Sequence, residues 1–278
     1  MMASKGVKHV VWVPFSIDRE TYTPPPGWVE WRIELFEQFT LRSMLNQTFD
    51  DFDIWLGCGE RHKKITDAHH WHPRVRIVHG NDWPLNELDA DFLAISRIDS
   101  DDMYHKDALG HLAAEAENRC GLNLRAFVLN KNIWWNRLEG LIGPHVRQRT
   151  TPPFVTRVYP KRFYHDADFF YKTFYVAHGA ATIRAICKAT GEARGVEPLE
   201  IANMCCIVKH GSNTSLVKKG LEPKPLGPED IETLRASGRI FDMGRQEVEW
   251  ELAKYSVRPE DVFLTPERQY LGGEMVSA

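Results

Sequence analysis

The chain lacks any apolar run approaching the roughly 20 residues that a bilayer-spanning helix needs, so a transmembrane function is not expected. Its N-terminus passes almost at once into the apolar segment Val7–Phe15, without the long h-region and small-residue cleavage site of a secretory signal. Cysteine is sparse and odd in number: Cys58, Cys120, Cys187, Cys205 and Cys206. No C-x-x-C pair exists, so a zinc ribbon or dithiol redox motif is unsupported, and reduced thiols in a cytoplasmic protein are the simplest reading. Neither sign of charge is in excess. With 35 basic and 38 acidic residues the net charge is −3, and no global field draws the chain to nucleic acid or anionic lipid. Peripheral membrane contact stays open. Internal repeats and low-complexity tracts are also missing.

What is present is a globular composition: 278 residues, 43% hydrophobic and 26% charged, enough for a sizeable core. Nine tryptophans are many for this length. Single tryptophans usually pack cores, although sugar sites use such rings as well.

Strand and helix patterns alternate. His9–Phe15 reads as a buried parallel strand, and about Val29–Asn46 as an amphipathic helix with Trp31, Leu35, Phe36, Phe39, Leu41 and Leu45 recurring at spacings near three and four. Phe52–Leu56, Val75–His79 and Phe92–Ile98 read as further strands. A helix over Lys106–Arg119, a strand at Phe127–Leu129 leading into Asn130–Asn136, and an extended Thr151–Pro160 follow. Phe169–Val176 reads as an aromatic strand, Ala180–Thr190 as a helix and Leu199–Lys209 as an apolar segment ending at His210. Helical pieces at Glu229–Ala236 and Gln246–Tyr255 close the chain. This order is that of an open α/β half, in which ligands collect at the carboxyl ends of the strands.

The fourth strand ends in Ser96-Arg-Ile-Asp-Ser-Asp-Asp102. Along a strand Asp99 and Asp101 point to one side. Two convergent carboxylates repel unless a cation lies between them, and Mg²⁺ or Mn²⁺ completed by substrate phosphates suits all-oxygen ligands. The alternative is a solvated acidic turn with Asp101 or Asp102 capping the next helix.

Together with Arg32-x-x-Leu-Phe36, Thr40–Thr48, Asp51–Leu56, Leu129–Asn136 and His210-Gly-Ser-Asn213, this stretch resembles a GT-A-fold glycosyltransferase of the family-2 kind. The nearest resemblance is to bacterial putative rhamnosyltransferases, over about residues 8–215. It implies a Rossmann-like open mixed sheet flanked by helices over about residues 1–215, with a nucleotide-binding half to about residue 105 and an acceptor half over 106–215. Residues 216–278 lie outside the resemblance and are expected, from their helical pieces, to form a C-terminal helical extension packed on that domain.

The activity implied is metal-dependent transfer of a hexosyl or deoxyhexosyl group from a nucleoside-diphosphate sugar to a hydroxyl of a glycan, lipid-linked glycan or small molecule. An inverting course is expected, with Mn²⁺ or Mg²⁺ as cofactor. Asp99, Asp101 and His210 would ligate the metal, with Asp99 alternatively touching the ribose. Arg97 would lie near the phosphates or base, or pair with a neighbouring Asp. Pro14, Phe15 and Glu60 would border the nucleoside. Trp134, Trp135 and Asn136 would meet the acceptor, although adjacent strand residues point opposite ways and at most one Trp faces the site.

The general base of an inverting enzyme would be Glu197 or Glu200, at the start of a helix before the late His, with Asp166 and Asp168 as fallback. A retaining course would dispense with it. The cluster His69-His70-Trp71-His72 reads as a solvated loop. Arg147, Arg149, Arg157, Lys161 and Arg162 form a basic stretch that keeps a nucleic-acid acceptor in view, though the net charge disfavours one. Two other classes compete: a metal-dependent phosphoesterase or nucleotidyltransferase, and a non-catalytic nucleotide-sugar-binding module.

Overall fold

A computed structural model describes residues 6–16, 26–146, 154–174, 188, 191, 196–210 and 226–262. Four strands come first: β1 (Val7–Ser16), β2 (Asp53–Cys58), β3 (Val75–His79) and β4 (Phe92–Arg97). All four are parallel and lie in the order β3-β2-β1-β4. Continuing past β4, the same sheet takes in β8 (Val155–Pro160), β6 (Arg125–Asn136), β9 (Val196–Lys209) and the short β5 (Met103–Tyr104), with β7 (Leu141–Val146) paired to β6. β8 runs antiparallel to both β4 and β6, so the sheet is mixed. The fold is a Rossmann-like open α/β sheet.

Helix α1 (Trp28–Leu35) runs without a break through a π-helical stretch, Phe36–Leu41, into α2 (Arg42–Leu45). Its apolar residues divide between two cores. Val29, Ile33 and Phe36 pack with Val11, Val13, Ile54, Leu56 and Ala94 on one face of the sheet. Trp31, Leu35 and Phe39 meet Trp135, Val208 and the C-terminal residues Val248, Leu252, Tyr255 and Val262. That second contact seats the C-terminal segment, which carries α7 (Pro228–Ala236) and α8 (Arg245–Ala253).

The first face is completed by α4 (Ala108–Asn118), following α3 (Lys63–Ala68) in the chain. The other face is covered by α6 (Ala167–Phe174), reached through the short α5 (Lys161–Tyr164). Its Phe170 and Phe174 join Trp12, Trp55, Trp83, Ile95 and Tyr159. Gly57 must be glycine for this packing, because a Cβ there would lie 2.1 Å from Cη2 of Trp12.

The predicted aromatic strand Phe169–Val176 is therefore a helix as far as Phe174. Phe170, Thr173 and Phe174 are buried at helical spacing, and Asp166 caps the turn by accepting from the Phe169 N–H at 3.0 Å. A run of aromatics suits either element, and here the helical period of the buried positions outweighs the β preference of the aromatics. Residues 175 and 176, the predicted helix Ala180–Thr190 apart from residue 188, and Gly211–Asn213 lie outside the described residues. No described helix is long and apolar enough to cross a membrane. Cys58, Cys205 and Cys206 are free and buried, and burial pushes the Cys58 thiol up to about 12.

One stability prediction arises from β1. His9 packs edge-on against Phe49, ring centroids 5.3 Å apart, and burial lowers its pKa below the usual 6.5. On acidification the unfolded chain takes up this proton before the folded chain does. The contribution is therefore present above pH 6.5 and is lost as pH falls from there through the folded-state value. Between pH 7.5 and 5.5 the melting temperature should drop, and His9→Phe should show a smaller drop. An unchanged pH dependence in the variant would remove His9 from the account.

Candidate functional site

Strands β2 and β3 are laid down on one side of β1 and β4 on the other, so the strand order reverses between β1 and β4. Open α/β sheets bind ligands at such a switch point, outside the carboxyl ends of the strands. The acidic cluster lies there, but β4 ends at Arg97 and residues 98–102 form a turn, with the Asp102 N–H bonded to the Asp99 carbonyl at 3.1 Å. Strand alternation therefore does not set where Asp99 and Asp101 point, and the two have different partners. Asp99 pairs with Arg97 at 3.0 Å.

Asp101 points inward. Its Oδ2 accepts from Nη1 of Arg32 at 2.9 Å and meets Nε2 of His210 at 2.9 Å. Nη2 of Arg32 also bonds the Ser100 hydroxyl. All three charged or titratable residues are buried: Arg32 4%, His210 5% and Asp101 9% exposed. Burial opposes ionisation of Asp101, but the Arg32 charge and the His210 hydrogen bond outweigh it and hold the carboxyl well below the usual carboxylate range. Burial lowers the pKa of His210 against the pull of Asp101, with Arg32 and Arg137 adding to the lowering. A neutral imidazole facing a carboxylate must carry its hydrogen on Nε2, so His210 donates to Asp101.

Three elements converge to build this cluster. Arg32 projects from α1, whose Trp31 ring also lies edge-on to His210 at 5.0 Å. Asp102 accepts from the Val208 N–H at 3.1 Å and so ties the turn to the end of β9. Arg137, just past β6, donates its N–H to the Lys209 carbonyl at 2.9 Å and fixes the residue before His210.

Other expected residues are placed elsewhere. Glu197 and Glu200 lie on strand β9, not at a helix start, and they pair with Arg119 and Lys131. They precede His210 by thirteen and ten residues on a strand that advances roughly 3.3 Å per residue, so the structure does not bring them to the cluster. Of the fallback acids, Asp166 caps α6 and Asp168 pairs with Lys172 on the surface.

Trp135 is wholly buried against Phe39, and Trp134 is 6% exposed beneath the Lys209 ammonium, 4.2 Å from its ring centre. The carbonyl of Arg239 crowds the neighbouring Gly143, so the C-terminal segment packs beside Trp134 as well. Asn136 uses its side-chain oxygen to cap the Leu138 N–H at 3.0 Å. Of the three acceptor candidates, none is presented as an open contact surface. Phe15 is core, packed on Phe36 and Trp71, while Pro14 is half-buried and Glu60 exposed near Lys63.

The basic stretch does not form a surface stripe among the described residues. Arg157 is buried, Lys161 pairs with Asp89, and Arg162 donates to the Leu122 carbonyl. Arg147 and Arg149 lie outside the described residues. His69, expected in a solvated loop, is partly buried and pairs with Glu37 at 2.8 Å.

Sequence reasoning gave no role to Arg32, the residue that neutralises Asp101. Its signal was an arginine on the apolar side of an amphipathic helix, where a long cation needs a buried partner.

No protein-family model matches the chain, and no curated protein matches it. Among solved structures it is similar to S. aureus TarS residues 1–349 in complex with UDP, at 15% identity and a TM-score of 0.39 over 90% of this chain and 70% of that one. It spans 43% of a longer TarS chain. It is also similar to Rv0371C of Mycobacterium tuberculosis H37Rv, a complex with manganese, at 12% identity and a TM-score of 0.30 over 84% and 99% of the two chains. A third likeness is to the glycosyltransferase GlyE of Streptococcus pneumoniae, at 9% identity and a TM-score of 0.34 over 91% and 64%. Likenesses this remote establish no function.

Proposed function

We propose that this chain is a glycosyltransferase of the GT-A kind, which binds a nucleoside-diphosphate sugar at the carboxyl ends of β1 and β4 and transfers the sugar to a hydroxyl acceptor. The observation that carries this reading is the buried Arg32–Asp101–His210 cluster at the switch point of the sheet. An ionised carboxylate held between a fixed cation and a neutral imidazole is costly to build. Its position is where an α/β sheet meets phosphate-bearing ligands.

Asp101 and His210 fit a divalent cation. Their facing atoms, Oδ2 and Nε2, are 2.9 Å apart, and an ion between them would take the place of the hydrogen bond, with the imidazole hydrogen moved to Nδ1. Among the described residues no group of three His, Cys, Asp or Glu forms a complete cage. A two-ligand cradle finished by phosphate oxygens and water is the usual arrangement for Mg²⁺. Asp101 and His210 would hold the ion, which would act as a Lewis acid toward the leaving diphosphate. Asp99, engaged with Arg97, serves in this reading to orient that arginine beside the phosphates.

Arg32 keeps Asp101 charged whether or not an ion is bound. His210 stays neutral, and a change of tautomer that moves its hydrogen to Nδ1 would free Nε2 to ligate beside Asp101. A phosphoesterase with two metals would need further clustered carboxylates, which the described residues do not supply.

Thermal shift of the full chain with UDP-, GDP-, dTDP- and CMP-sugars, with and without Mn²⁺, tests the reading. A ligand at about 100 times its Kd stabilises by about 2.7 kcal/mol, a rise of roughly 5–10 °C for a protein of this size. One diphosphate series should shift the protein in a metal-dependent manner, and Asp101→Asn should abolish the shift. Absence of any nucleotide-dependent shift would overturn the proposal.

A further inference from the structure

Arg157 is 1% exposed, in the middle of β8, opposite Ile95 of β4 and Ala126 of β6. Strand alternation puts it on the α6 face of the sheet with Val155 and Tyr159. Among the described residues no carboxylate or carbonyl accepts from its guanidinium. Among the described residues its buried Nε has no hydrogen-bond partner, and the guanidinium carbon lies 5.6 Å from the ring of Phe174.

A guanidinium carries five N–H donors and stays charged, so burying it without an acceptor is among the least favourable arrangements in a protein interior. An aromatic face offsets a small part of that cost. Arg97 lies near enough for the two positive charges to interact, and burial, against an opposing pull from Tyr159 and with that repulsion, lowers the Arg157 pKa.

Arg97 is two residues beyond Ile95 on the same face of β4, so the pair forms a short cationic file leading inward from the strand ends. The Arg97 side chain is 16% exposed and marks the open end of that file. Asp99 engages Arg97, and among the described residues no carboxylate pairs with the inner Arg157.

We propose that Arg157 is an oxyanion-recognition residue: together with Arg97 it seats a phosphate or carboxylate group of the substrate at the carboxyl end of β4. The inference borrows from the proposed function the place where substrate binds, but not the reaction. It names a specificity element on the face of the sheet opposite α1, with charge as the property selected. The shared chemistry has two sources, the diphosphate of a nucleotide and a carboxylate on an acidic sugar. Fork geometry matters for either, since arginine grips both groups bidentately and lysine does not.

Calorimetric titration of the full chain and of Arg157→Met and Arg157→Lys tests this. The probes are pyrophosphate, UDP, GDP, dTDP, UDP-glucose, UDP-glucuronate and uridine. Methionine keeps the apolar stem and removes the isolated charge, so Arg157→Met should melt at or above the wild-type temperature. Binding of at least one anionic probe should weaken about tenfold or more in Arg157→Met and less in Arg157→Lys, with uridine unaffected.

Equal losses for UDP-glucose and UDP-glucuronate would identify the diphosphate as the anion. A loss confined to UDP-glucuronate would identify the sugar carboxylate. If Arg157→Met does not fold, Arg157→Lys carries the test, and its affinities must still fall. Affinities within twofold of wild type in the folded variants, or no anion binding by the wild type, would overturn the proposal. Intact nucleotide-sugar binding in Arg157→Met would leave the transferase reading standing without this residue. Arg157-dependent pyrophosphate binding without any nucleotide-sugar binding would do the reverse.

Discussion

Replacing Arg32 with methionine is expected to cost about 3–5 kcal/mol of folding free energy, because it strands an ionised Asp101 in the interior. The side chains of Arg32 and Asp101 are 5% and 13% exposed, so water cannot take over the role of the guanidinium. A midpoint shift in urea unfolding at pH 7.5 measures the loss. The double variant Arg32→Met, Asp101→Asn should recover much of it, since a neutral amide needs no counter-charge, and the cycle isolates the pair.

The pH dependence has a definite sign. The Asp101 carboxyl is depressed in the folded protein, so its contribution is full above the unfolded value near 3.8 and is lost as pH falls through the folded value. The variant lacks the cation that causes this depression and accepts a proton more readily. Its deficit against wild type should narrow as the solution is acidified. A loss under about 1 kcal/mol at pH 7.5 would mean that Asp101 is not neutralised by Arg32.

Asp261→Ala is expected to have the second largest effect, about 3 kcal/mol, with a local consequence. The Asp261 side chain is wholly buried and accepts from Arg42 at 3.0 Å, Arg258 at 2.9 Å and the Gln38 amide. Its backbone carbonyl accepts from Nε of Arg137 at 3.1 Å. Burial raises this carboxyl and its three side-chain partners more than offset that, leaving it below the usual range.

Asp261 thus ties the C-terminal segment to the π-helical stretch and α2, and through Arg137 to the residue before His210. Hydrogen exchange in Arg245–Ala253 should accelerate in the variant, while β1, β2 and β4 keep their protection. Uniform acceleration across the sheet would show that the segment is not a separable cooperative unit.

Much of the fold was legible in the sequence. Parallel strands buried on both faces leave continuous apolar runs, and Val10–Val13, Ile54–Leu56 and Leu93–Ile95 are such runs. The helical spacing of apolar residues in about Val29–Asn46 was equally plain, but the stretch proved to be buried on two sides and not amphipathic as read, because it serves two cores. Reading failed where one composition suits two elements. The aromatics at 169–174 became a helix, and Val196–Glu200, with its two glutamates, became a strand.

The candidate site divides along the same line. The sequence by itself determined that a cluster of acidic residues follows the apolar fourth strand, because that depends on neighbours a few residues away; that the cluster is a turn and not the strand's end came from the structure. Only the tertiary structure decided which carboxylate is buried and what neutralises it. Arg32 and His210 stand 69 and 109 residues from Asp101, and they meet it only because β1 lies beside β4 while β9 ends beside the turn. Charges distant in sequence are paired by topology, and the low dielectric of the interior makes that pairing decisive.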